Sequence, residues 1–281
     1  MQKNKLLVAA MGALLALPAL AEDDAVTQHK EGVHVIPASE HTLTSNVSLV
    51  SDYLYRGISQ SGQKPAIQGG FDYARSSGFY AGVWGSSISW LSDGEVAANA
   101  GLELDTYLGF RSTFASDFSY DIGYLRYNYP GTYVDPAPTI AGTSDAYAKA
   151  DTDEIYAAIG YKWVSFKYSY SLGDTFTMPN AKGTNYMEVN ASYAIPDTGV
   201  TLGAHVGKQT YKGTTADASE ANGANATYTD YKVSVSKGFS GFVLGLAYSD
   251  TDAEDGPGEF YHILDKDLGR STTVVSLSRS F

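Results

Sequence analysis

Thr272-Thr273-Val274-Val275-Ser276-Leu277-Ser278-Arg279-Ser280-Phe281 closes the chain, and its reading decides the fold. The side chains alternate with period two, as in a strand with one face toward an apolar phase and the other toward water. The last residue is an aromatic. In a chain that opens with an export signal, this ending marks a bacterial outer-membrane β-barrel, the closed sheet that crosses a bilayer without unpaired backbone groups. The last strand of a secreted β-sandwich would end in the same way, so the rest of the chain must separate the two.

The export signal is read from Lys3 and Lys5, an apolar run from Leu6 to Leu17, and the small residues of Ala19-Leu20-Ala21. The run is shorter than the roughly 20 residues of a spanning helix. Residues 1–21 are therefore expected to be a signal peptide, 22–43 a polar periplasmic segment without clear periodicity, and 44–281 the barrel.

Removal of the signal takes away two lysines and no acid, leaving 19 − 2 = 17 basic residues against 31 acidic ones, a net charge of −14. A nucleic-acid partner is excluded on that balance. The chain has no cysteine, hence neither a disulfide framework nor a thiolate metal site. Mean hydropathy is −0.19, which argues against a helical membrane protein but not against a barrel, where only alternate residues face lipid. The 22 tyrosines suit interfacial girdles, and the 29 glycines suit turns and crowded barrel walls.

From Thr44 the period is two. Val47, Leu49, Tyr53 and Tyr55 share one face, assigned to lipid, and Asn46, Ser48, Asp52 and Arg56 share the other, assigned to the lumen. The interleaving of apolar and charged residues is clearest in Leu102 to Arg111, Glu154 to Trp163 and Val164 to Leu172. Further strands are expected at Ala66–Arg75, Gly78–Trp90, Phe118–Tyr129, Asn185–Ile195, Gly199–Tyr211, Ala226–Gly238 and Gly241–Ser249. With Thr44–Arg56 and the last strand they make an all-β, antiparallel, up-and-down transmembrane barrel of about 12 strands. The register of Gly78–Trp90 stays open, because Phe79, Ala81 and Val83 compete with Tyr80, Trp84 and Ile88 for the outer face. Arg126 and Arg279 fall on apolar faces near strand ends, where arginine can snorkel to headgroups.

Connections alternate in length. Short ones lie at Arg75–Gly78, Ser112–Asp117, Lys162–Ser165, Ile195–Gly199 and Gly238–Gly241, and between them come long ones such as Gly57–Pro65, Pro130–Asp151 and Asp250–Arg270. Short periplasmic turns against long outer loops are a barrel signature, and a sandwich has no reason to show it.

The segment Ser45–Ser89 resembles the TorF family of proteobacterial porins. The resemblance is carried by Ser51-Asp52-Tyr53, Arg56-Gly57-Ile58-Ser59-Gln60, Gln68-Gly69-Gly70-Phe71-Asp72-Tyr73 and Gly78-Phe79-Tyr80-Ala81-Gly82-Val83-Trp84, and extends more loosely through Glu103-Leu104-Asp105 and Glu154-Ile155-Tyr156. It implies an outer-membrane barrel and no particular substrate.

Parity sends Asp52, Asp72, Glu103, Asp105, Asp121, Glu154, Glu188 and Asp230 into the lumen, together with Arg56, Arg111, Lys162, Lys167 and Lys232. Eight acids against five bases read either as a pore lining with weak cation preference or as a paired network that fills a narrow barrel. Arg56, at the entry to the first outer loop, reads as part of a constriction with Asp52 as its partner, or as a local ion pair at the rim. Twelve-stranded outer-membrane phospholipases need a lipid-facing serine and histidine, whereas His205 points inward with Thr201 and Gly203, so catalysis is not expected. The acidic run Asp250, Asp252, Glu254 and Asp255 lacks the spacing of a calcium loop, with Asp255 and Tyr261 where glycine and glutamate are required.

The sequence thus points to a porin-like channel for small solutes, with a closed adhesive or structural barrel as the alternative. No cofactor is called for. The expected partners are outer-membrane lipid and lipopolysaccharide, and the barrel-assembly machinery through the C-terminal strand.

Overall fold

The computed structural model describes residues 40–115, 117–140, 144–213, 226–257 and 259–281. The expected signal peptide and residues 22–39 lie outside them. Strand β1 (His41–Val50) is followed by two two-residue strands, β2 (Leu54–Tyr55) and β3 (Ile58–Ser59). Then come β4 (Ala66–Arg75), β5 (Phe79–Ser87), a single-turn helix α1 (Trp90–Asp93), β6 (Leu102–Phe114), β7 (Phe118–Asn128), β8 (Thr152–Tyr161) and β9 (Val164–Ser171). The chain continues through β10 (Asn185–Ile195), β11 (Val200–Thr210), β12 (Tyr228–Phe239), β13 (Phe242–Thr251), a small hairpin of β14 (His262–Ile263) and β15 (Lys266–Asp267), and β16 (Thr272–Ser280).

Twelve of these strands form a closed antiparallel barrel in the order β1-β16-β13-β12-β11-β10-β9-β8-β7-β6-β5-β4. The seam pairs Leu49 with Leu277, and Ser45 and Phe281 exchange backbone hydrogen bonds of 3.1 and 2.8 Å. Closure leaves no edge strand, as a bilayer requires. Short connections lie at the end that holds residue 40 and Phe281, and long ones at the other.

The wall is inverted relative to a water-soluble protein. Leu43, Leu49, Phe71, Ile122, Val233 and Leu277 stand exposed on the outside, whereas Glu103, Glu154, Glu188 and Asp230 are buried inside. Alternation along each strand produces this, because successive side chains leave opposite faces. The β5 register is settled: Phe79, Ala81 and Val83 face out, and Tyr80 and Trp84 face in. Tyr80 and Trp84 find partners only inside, where the Tyr80 hydroxyl donates to Asp121 at 2.6 Å and Trp84 meets the Tyr53 ring edge to face at 5.6 Å. Arg126 faces outward at the long-loop end and binds Asp153 at 2.8 Å. Arg279 lies over the rings of Phe242 and Phe281, each 5.0 Å away.

Three expectations need correction. The first barrel strand starts at His41 rather than Thr44 and ends at Val50 rather than Arg56. Tyr53 and Tyr55 are not on the lipid face: Tyr53 is 1% exposed and both rings pack in the interior, because the chain turns inward at Ser51-Asp52. Lys162 does not line the lumen; it occupies the turn between β8 and β9 with a positive φ of 53°, beside Asp117 at 3.9 Å.

Inside, tyrosines lie flat over glycines of the neighbouring strand. Tyr80 covers Gly109, Tyr156 covers Gly123 and Tyr107 covers Gly82, each so closely that a Cβ on the glycine would collide with the phenol. Glycine is required there by close approach, not by backbone angle.

Candidate functional site

The connection between β1 and β4 crosses the lumen. Strands β2 and β3 form a tight hairpin, pairing Leu54 with Ser59 and Tyr55 with Ile58, which leaves Arg56-Gly57 as its two-residue tip. Both tip residues have positive φ, 48° and 83°, the geometry of the turn whose twist matches paired strands. The tip is pressed on the far wall, where a Cβ on Gly57 would stand 2.8 Å from the Asp230 Cβ.

Arg56 fixes the hairpin to that wall. Its Nη2 donates to Glu154 Oε2 at 2.8 Å on β8, and its Nη1 donates to Gln209 Oε1 at 2.7 Å on β11. Its guanidinium also lies 4.8 Å from the Tyr55 ring and 4.4 Å from the Tyr186 ring. The ion pair is dry, with side-chain exposures of 7% and 1%. Such a pair holds only if further hydrogen bonds satisfy the charges, and Gln209 together with Ser171, which donates to Glu154 at 3.4 Å, supplies them. At the hairpin base Asp52 accepts bonds from Ser59 at 2.7 Å and Ser61 at 3.0 Å. Asp52 and Arg56, expected to pair at a constriction, therefore take different partners.

The hairpin divides the interior. On the long-loop side lies a chamber of about 400 Å³, walled by Tyr55, Trp90, Phe176, Phe260 and Tyr261 among others. Toward the barrel middle lies a smaller one of about 90 Å³, whose lining includes Arg56, Asp105, Lys167, Glu188, Asp230 and Lys232. Tyr55 borders both. In the smaller chamber His205 accepts or donates at Tyr186 (2.9 Å), Asn190 (2.6 Å) and Asp230 (2.9 Å). It faces inward, as its parity requires.

The remaining expected residues fall on the β4 to β9 wall. Tyr107 donates to Asp72, Tyr53 donates to Glu103 at 2.8 Å, and Tyr80 donates to Asp121. Arg111 stacks 4.9 Å from the Tyr80 ring and Lys167 4.4 Å from that of Tyr156. Glu103 Oε2 and Asp105 Oδ1, both buried, have no hydrogen-bond partner among the described residues. The opposite wall is different: its inward positions include Thr201, Gly203, Ser234, Ser236, Gly245, Ser276 and Ser278, all partly accessible. The β4 to β9 wall is thus bulky and charged, whereas the opposite wall is small and neutral toward the short-turn end and carries His205, Asp230 and Lys232 nearer the long loops.

At the long-loop end the β14–β15 hairpin docks on the β2–β3 segment. Lys266 Nζ donates to the Gly62 carbonyl and Gln63 Nε2 to the Asp267 carbonyl, each at 2.9 Å. His262 Nδ1 bonds Asp267 at 2.7 Å, which raises the His262 pKa above its ordinary value. Of the acidic run, Asp252 accepts from the Thr229 amide and Asp250 from the Thr251 amide at 3.0 Å. Sequence reading missed the hairpin and the larger chamber. The available signal was Arg-Gly at the tip followed by the polar run Ser59-Gln60-Ser61-Gly62-Gln63, too polar for a lipid-facing strand.

A closed barrel with an apolar exterior, a charged interior and a hairpin across its lumen defines a membrane-spanning β-barrel. Residues 34–281 match the Gcw_chp family, bacterial proteins of unknown function, and the chain belongs to that family. The likeness to TorF rests on the motifs quoted above. No curated protein matches the chain in sequence. Among solved structures it is similar to KdgM porin in complex with disordered oligogalacturonate, at 10% identity and TM-score 0.47 over 85% of this chain and 99% of that one. It is also similar to a TodX variant described as a monoaromatic hydrocarbon channel, at 10% identity and TM-score 0.46 over 86% and 90%. The outer membrane protein OprD from Pseudomonas aeruginosa follows at 12% identity and TM-score 0.35 over 81% and 60%.

Proposed function

We propose that this protein is an outer-membrane channel for small polar solutes, with the β2–β3 hairpin as its constriction. The observation that carries the reading is the unequal interior. A barrel closed for structural purposes is filled by side chains on all sides, whereas here the β11 to β16 wall presents, toward the short-turn end, serine, glycine and threonine that stay partly accessible. The route runs from the large chamber, past Arg56, through the small chamber and along the serine wall. The TorF-like motifs of residues 51–60 coincide with the constriction itself.

The apolar outer belt supports a lipid environment, and the pattern of short turns and long loops supports the outer membrane with residue 40 and Phe281 on the periplasmic side. Lipopolysaccharide and outer-leaflet lipid are then its surroundings, and the C-terminal strand its signal to the assembly machinery. With Lys162 on a turn, the lumen holds the eight acids named above against Arg56, Arg111, Lys167 and Lys232, which favours weak cation preference. The test is the reversal potential of the refolded chain in a planar bilayer under a salt gradient. A potential of cation sign is expected. An anion-selective potential would overturn the preference, and a folded barrel that never conducts would leave the adhesive or structural reading.

A further inference from the structure

The larger chamber is walled for something other than an ion. Its volume of about 400 Å³ lies in the range of small-molecule sites, and an apolar cavity of roughly 150 Å³ already holds benzene. Two groups of rings belong to its lining. Phe260 meets Tyr261 edge to face at 4.8 Å and Tyr261 meets Tyr228 at 5.1 Å, while Phe176 meets Tyr55 at 5.4 Å on the side of the hairpin. Ile58, Ile140, Met178 and Leu268 line it too, packed in one cluster with Tyr228 and Tyr261.

Neutral polar groups open into this apolar space. Tyr211 and Tyr228 line it, and neither hydroxyl has a hydrogen-bond partner among the described residues, nor is either sealed in the wall. An accessible phenol can donate one hydrogen bond and accept another. The charged members of the lining, Asp93, Glu95, Glu259 and His262, come instead from two segments that touch each other, since a Cβ on Gly94 would stand 3.5 Å from Ile263 Cδ1. Asp93 is engaged by Ser89 and His262 by Asp267, each at 2.7 Å. Carboxylates and a histidine of raised pKa together give neither sign of solute an advantage. Ring faces that would attract a cation are partly taken by the edges of their neighbours. A charged solute would therefore lose its hydration among rings and aliphatic side chains, whereas an uncharged ring loses little and gains contact.

We infer that the chamber is a binding site for uncharged aromatic alcohols and phenols, with the ring seated among Phe176, Phe260 and Tyr261 and a hydroxyl paired with Tyr211 and Tyr228. A sugar would leave most of its hydroxyls against apolar surface, so the lining favours an aromatic body. The inference deepens the channel reading by naming a solute class, and rests on it for the role of the site, which is selection ahead of the Arg56 constriction. Binding itself is measurable without conduction.

The experiment is calorimetric titration of the refolded chain in detergent, with protein-free detergent as the blank. Three probes share one phenol ring, the neutral tyrosol, the cationic tyramine and the anionic 4-hydroxyphenylacetate, and methyl glucoside is the neutral sugar. Tyrosol should bind saturably and on the order of tenfold more tightly than either charged probe, and more tightly than the sugar. Tyr211→Phe combined with Tyr228→Phe keeps both rings and should weaken tyrosol about tenfold without changing heat-modifiable migration on gels. Tyr248→Phe, on the exposed outer face, should leave the affinity unchanged. Should the double variant not fold, the ranking of the four probes on the native chain decides alone. Equal or tighter binding of tyramine, 4-hydroxyphenylacetate or methyl glucoside, no saturable binding of any probe, or full tyrosol affinity in the folded double variant would overturn the inference. A barrel that conducts but binds no probe would keep the channel and lose the site. One that binds tyrosol and never conducts would keep the site and lose the channel.

Discussion

Arg56 holds a backbone conformation that a non-glycine residue adopts only with outside support. Its φ of 48° is stabilised by the bonds its side chain makes to Glu154 and Gln209 on the opposite wall. Arg56→Ala removes both bonds and leaves the Glu154 carboxylate buried without its counter-charge, a loss on the order of 3–5 kcal/mol. The expected outcome is a lower melting temperature in detergent, with Arg56→Lys falling between, because an ammonium cannot reach two acceptors in a fixed fork. An unchanged melting temperature in Arg56→Ala would show that the hairpin is held elsewhere. The glycine contacts permit a second comparison. Gly123→Val drives a side chain into the Tyr156 phenol, whereas Gly173 has nothing within 4 Å of the corresponding position. Gly123→Val should destabilise the barrel and Gly173→Val should not, as read by the temperature at which gel migration converts to the unfolded form.

Among the elements, the long strands were legible and the hairpin was not. Along Leu102–Arg111 or Val164–Leu172 each apolar residue alternates with a polar one, and only one assignment of faces satisfies both lipid and lumen. Tyr53 and Tyr55 continue the parity of Val47 and Leu49, but tyrosine suits a membrane interface and a barrel interior equally, so parity could not detect the inward turn after Val50. The charged lining was legible for the same reason as the strands. Its partners were not, since Arg56 reaches Glu154 98 residues away and Gln209 153 residues away. Lys162 was misplaced because periodicity has no meaning in a two-residue turn. The β14–β15 hairpin, docked on β2–β3, makes a prediction at this scale. Hydrogen bonding to Asp267 raises the His262 pKa. The contribution of that pair is therefore complete below the ordinary histidine pKa and is lost as pH rises through the raised one. Amide exchange of residues 262–267, corrected for intrinsic rate, should be slower at about pH 5 than at about pH 9. No difference would remove His262 from the docking of the hairpin.

For the whole molecule, the inverted wall and the closed seam belong together. A ring of strands with carboxylates inside and leucine, isoleucine and phenylalanine outside is stable only where lipid or detergent replaces water around it. All backbone ladder bonds are local between neighbouring strands, so the folded barrel should resist detergent without heat and migrate on gels as a compact form until boiled. The hairpin is a separate feature, added to the lumen of a barrel that is complete without it. Val50 pairs with Ala66 across its base, so residues 52–64 can be replaced by a short glycine-serine turn without breaking the sheet. The most direct measurement is single-channel conductance of the chain from Glu22 to Phe281 beside that variant, in the same bilayer and salt. The native barrel is expected to open in discrete steps and the hairpin-less one to conduct severalfold more. Equal conductances would show that the hairpin is no constriction, and silence from both folded proteins would contradict the channel itself.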